Sequence, residues 1–102
     1  MDFNSAFDDI AAAMEKATTS EGHDLASKAI ERHGLIEQGD RKPSQITVWE
    51  KSANGQTLRF TWRWYDPSQA FSIRPDINVL TLELLAGDKI VRREEHRYED
   101  KY

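Results

Sequence analysis

The side chains best suited to metal or acid/base chemistry here are three histidines, His23, His33 and His96, with no cysteine beside them. The missing thiols exclude disulfide scaffolds, cysteine-ligated zinc and thiol catalysis. His23 and His33 are ten residues apart, about 280° around a helix, so they share no face on which to hold a metal. His96 stands among Arg92, Arg93 and Arg97, which repel a cation. No metal and no cofactor is therefore expected, and the histidines are expected to be solvent-exposed.

The carboxylate pairs Asp8-Asp9 and Glu94-Glu95 are sequential neighbours. Their side chains point in different directions, which suits solvation of the surface better than a shared proton. No serine or threonine has the strand-turn-helix glycine context of a nucleophile elbow, and no glycine-rich phosphate loop is present. Asp66 with His96, inside a curved sheet, is the acid/base pairing that the sequence leaves open. Catalysis is accordingly the weaker expectation.

Arginines and aromatics carry a stronger signal. Within Thr57 to Tyr65, strict alternation sends Leu58, Phe60, Trp62 and Trp64 one way and Arg59, Thr61, Arg63 and Tyr65 the other. If the first set packs under helices, then Trp49, Arg59, Arg63 and Tyr65 form an outer contact surface, extended by Arg93 and Arg97. Tryptophan, tyrosine and arginine are the types enriched at binding hot spots. The plainer reading is that arginine stems cover exposed rings, at roughly 0.5–1 kcal/mol per cation–π contact. A single-stranded RNA platform uses the same residue types, but the glycine-aromatic RNP pattern is missing and acidic helices oppose phosphate. Direct nucleic-acid binding is not expected.

The elements that must position these residues follow from the change of hydrophobic period. Phe3, Phe7, Ile10 and Met14 stack on one helical face, with Asp8, Asp9 and Glu15 off it. Asp2, Asn4 or Ser5 can cap the start, and Thr18-Thr19-Ser20 breaks the helix. A second helix runs from about Glu21 to His33 on a stripe of Leu25, Ala26, Ala29 and Ile30, and Gly34 takes the left-handed end. Leu35 and Ile36 then supply the hydrophobic contact that closes such an end.

Gly39 to Ser44 forms a turn, after which the period becomes two. A strand from Ile46 meets an Asn54-Gly55 hairpin and returns as Thr57 to Tyr65. Asp66-Pro67-Ser68 ends it, and Phe71-Ser72-Ile73 is a short edge or loop segment limited by Pro75. Ile77 to Leu85, with Leu80, Leu82 and Leu84 on one face, turns at Ala86-Gly87-Asp88 into a last strand from Lys89 to about Tyr98. The expected fold is α+β over 1–102, one domain: a helical pair (1–38) on one face of a four- or five-stranded, mainly antiparallel meander (44–99). Phe7, Ile10, Met14, Leu25, Ile30, Phe60, Trp62, Leu80 and Leu82 are its expected core.

Residues 79–93 resemble the last hairpin of cone-shaped NTF2-like and SnoaL-like domains, where a strand meets a glycine-acid turn followed by lysine and isoleucine. The likeness spans 15 of 102 residues, and the family's usual chain is longer and carries more helix. It implies a concave pocket lined by Phe60, Trp62 and Trp64 for a small apolar ligand.

Charge completes the reading. Residues 1–43 hold nine acids against five bases, while 44–102 hold nine of each, so the whole net charge of −4 lies in the first part. No apolar run approaches the roughly 20 residues of a membrane helix, and the acidic start is unlike a signal peptide. A soluble, cytoplasmic chain without membrane contact is expected. The expected function is a small stoichiometric protein-binding module of inhibitor or immunity-like type, bacterial or phage in character. Its partner is another protein, basic and itself able to bind nucleic acid; a homodimer is also compatible. Asp8, Asp9 and Glu15 are the alternative, acidic contact face, and the NTF2-like cone is the alternative function.

Overall fold

The computed structural model describes residues 3–16, 20–38, 46–65 and 77–99, without the side chains of 20–25, 64, 65 and 99. Helix α1 spans Phe3–Glu15 and helix α2 spans Ser20–Arg32. Phe3, Ala6, Phe7, Ile10 and Met14 are the buried residues of α1, the stripe that a 3.6-residue period lays along one face. Helix α2 closes in a Schellman motif: the Leu35 N–H donates to the Ile30 carbonyl at 3.1 Å and the Gly34 N–H to the Glu31 carbonyl at 3.0 Å. Gly34 holds φ of 78°, a left-handed conformation that costs glycine little. Leu35 supplies the closing hydrophobic contact; Ile36, expected to share it, is 70% exposed.

Ile36 instead opens a strand that the sequence reading did not contain. β1 (Ile36–Glu37) is followed by β2 (Ile46–Ala53), β3 (Gln56–Tyr65), β4 (Ile77–Ala86) and β5 (Lys89–Glu99), in the spatial order β1-β2-β3-β4-β5. All four pairings are antiparallel. Asn54 and Gly55 adopt φ of 53° and 78°, the two positive values that a tight two-residue hairpin needs. In the last hairpin Leu84 pairs with Arg92 and Leu85 with Ile90, so Val91 is the extra residue of a β-bulge. The expected turn at 39–44, the break at Asp66-Pro67-Ser68 and the segment Phe71-Ser72-Ile73 lie outside the described residues.

The helices occupy one face of the sheet, with α1 packed on β4, β5 and α2. The core between the layers joins Phe7, Ile10, Met14 and Ile30 to Leu58, Phe60, Leu80, Leu82, Leu84 and Tyr98. This is the expected α+β, helices-on-meander architecture. Among the expected core residues, Trp62 is only half-buried against this cluster, and the Leu25 side chain lies outside the described ones. No helix among the described residues is long and apolar enough to cross a membrane.

Candidate functional site

The register of the sheet decides which side chains share its outer face, the one turned away from the helices. Because paired residues on neighbouring strands point the same way, the registers can be followed as rows. Glu50 pairs with Arg59, Arg59 with Glu83, and Glu83 with Arg93. That row crosses four strands with strictly alternating charge. The next outer row is Val48–Thr61–Thr81–Glu95, and the one after it Ile46–Arg63–Val79–Arg97. Arg63, Arg93, Glu95 and Arg97 are exposed, whereas Val48 is 4% exposed although it belongs to this face.

Arg59 and Arg63 thus stand together as expected. Trp49 does not stand with them. It pairs with Phe60, their ring centroids lie 5.6 Å apart at a 55° tilt, and Trp49 packs against the core under the helices. A residue on a pleated strand can serve only one face. Counting outward from Asn54-Gly55 as the two turn residues sets Ala53 against Gln56, and hence Trp49 against Phe60; the hairpin signal already contained this result. Tyr65 ends β3 opposite Ile77, and its side chain lies outside the described ones.

Arg59 leans toward β2, its guanidinium 3.6 Å from the Glu50 carboxylate, with side chains 33% and 20% exposed. Its Nε is buried and makes no hydrogen bond among the described residues. Arg93 turns along its own strand to Glu95, at 3.4 Å. Glu83, between the two arginines, has no ion-pair partner among the described residues.

The alternative acidic face is differently organised from the expectation. Asp8 and Asp9 bind arginines of the same chain rather than merely solvating the surface. Asp8 accepts from Arg92 of β5 at 2.7 Å, and Arg92 lies over the Phe7 ring. Asp9 meets Arg32 at 2.5 Å and the His33 ring at 2.7 Å, both at the end of α2. The hydrogen bond from Arg32, then that from His33, holds the Asp9 carboxyl below its ordinary pKa. Glu15 remains exposed. His33, expected to be free in solvent, is a pinning residue with 23% of its side chain exposed. These partners are 23 to 84 residues distant in sequence, and no local pattern announces them.

On the helix side, the indole N–H of Trp62 donates to Oδ1 of Asn78 at 2.8 Å, and Asn78 has no exposed surface. The His96 ring stacks on Tyr98 at 6.3 Å. Phe60, one of three residues expected to line a ligand cone, is completely buried in the core. The Trp64 side chain and Asp66 lie outside the described residues. Among the described residues, no three histidine or acidic side chains group as metal ligands.

Neither a protein-family model, a curated protein nor a solved structure matches this chain.

Proposed function

We propose that the protein is a small stoichiometric binding module that docks on another protein chain through the outer face of its sheet. One observation carries this reading. The outer face displays Arg59, Arg63, Arg93 and Arg97 beside β-branched residues of β2 to β4, while two of the three expected contact acids, Asp8 and Asp9, are engaged within the chain. Arginine combines a large apolar stem with a directional fork, which suits it to interface centres. An inhibitor or immunity-like role against a basic partner draws its support from the acidic excess of residues 1–43, which attracts such a partner at long range from outside the contact face.

Affinity capture from the native host, read by mass spectrometry, tests the reading with matched variants. Arg63→Ala and Arg97→Ala are expected to lose a captured partner, each at a cost of about 2 kcal/mol for a hot-spot residue. Glu15→Lys is expected to retain it. The opposite result moves the interface to the helices.

A further inference from the structure

We infer that the outer sheet face is self-complementary and that its occupant is a second copy of this chain, packed face to face about a two-fold axis. The inference rests on the outer face being the contact surface, as proposed above, and names what sits there. Its basis is the row Glu50–Arg59–Glu83–Arg93. A two-fold axis parallel to the strands, midway between β3 and β4, lays β3 of one copy on β4 of the other and β2 on β5. Arg59 then faces the second copy's Glu83, and Glu50 faces its Arg93. Both contacts unite opposite charges, and each occurs twice, making four in all, as an isologous interface requires.

The flanking rows agree. Thr61 falls on Thr81 and Val48 on Glu95; Arg63 falls on Val79 and Ile46 on Arg97. None of these rows opposes like charges. The arrangement also supplies an ion-pair partner to Glu83, which has none among the described residues. Two equally twisted sheets stacked in this way give the aligned geometry of a β-sandwich. Four strands about 4.8 Å apart, over about nine residues of roughly 3.3 Å each, offer roughly 500–600 Å² per copy. The total, about 1,000–1,200 Å², lies at the small end of specific interfaces, so a micromolar dimer is expected. A different protein using this face has to compete with the second copy.

Sedimentation equilibrium over roughly 1–100 µM chain brackets such a dissociation constant. The wild type is expected to dimerise, and less so in high salt, because its opposed charges are screened. Arg59→Glu alone sets Glu against Glu83 across the axis, and Glu83→Arg alone sets Arg against Arg59; each is expected to weaken self-association tenfold or more. Mixing these two variants restores both cross-axis pairs without repairing either chain internally, so an equimolar mixture is expected to form a heterodimer. Circular dichroism checks that each variant is folded. Should either fail, Glu50→Arg and Arg93→Glu make the same mixing test from β2 and β5. A wild type that stays monomeric overturns the inference, and the capture experiment then decides the wider reading by itself. A dimer that both variants leave intact, or variants that stay apart when mixed, also overturns it.

Discussion

The guanidinium carbon of Arg92 lies 4.1 Å from the centre of the Phe7 ring, so β5 and α1 meet through a cation on an aromatic face. The same guanidinium binds Asp8 at 2.7 Å with the two side chains 35% and 67% exposed. An ion pair so exposed contributes about 0.2–1 kcal/mol, and the ring contact about 0.5–1 kcal/mol. Arg92→Ala is therefore expected to cost about 1–2 kcal/mol in urea melts, and Asp8→Asn less than half of that. Equal losses would show that the carboxylate, rather than the ring, holds Arg92 in place.

Phe60 is the centre of the sheet's contribution to the core, with no exposed surface and Leu58, Leu80, Leu82 and Leu84 in the same cluster. Phe60→Ala is expected to cost about 3–5 kcal/mol, the sum of lost transfer energy and an incompletely collapsed cavity. Melts that overlay the wild type would mean that the opposite face of β3 is the buried one.

Trp49 and Arg63 make a sharper test of the register, because the sequence reading placed them together and the structure separates them. Trp49→Ala removes a half-buried ring packed on Phe60 and is expected to cost about 2–3 kcal/mol, below the fully buried range. Arg63 is exposed on the other face, and Arg63→Ala is expected to change the melt by no more than about 0.5 kcal/mol. Comparable losses at both positions would contradict the pairing of Trp49 with Phe60.

What was legible in the sequence was what neighbouring residues decide. The α1 stripe Phe3, Phe7, Ile10, Met14 and the alternation of β3 are each read within a dozen positions, as are the Gly34 helix end and the Asn54-Gly55 turn. β1 has two residues, too few to show a period, and it exists because β2 offers Trp49 and Glu50 as partners. Trp49 is not placed by alternation alone, because both faces of β2 carry apolar residues. Asp8, Asp9 and His33 read as surface groups since hydrogen-bonding partners so far along the chain are set by tertiary packing. The alternating row of charge needs three registers at once, and two of them depend on how β4 docks against β3 and β5.

Asp9 makes the stability of the fold depend on pH. The hydrogen bond from Arg32 first, and that from His33 second, hold its folded pKa below the ordinary carboxylate value. A depressed carboxylate pKa stabilises the fold at pH values above that of the unfolded chain, and the contribution is lost as pH falls through the folded value. Stability is thus expected to hold down to about pH 4 and to decline below it, as the ordinary titration range of aspartate is crossed. Asp9→Asn keeps the shape of the side chain but removes the charge that joins α1 to the end of α2. Its stability is expected to be lower than wild type near neutral pH and to approach it in acid, so that the two pH profiles converge below about pH 4. Because 44% of the Asp9 side chain is exposed, salt is expected to narrow the gap at neutral pH as well. Parallel profiles, separated by the same amount at pH 7 and pH 3 in urea melts, would show that Asp9 acts through packing and not through its charge.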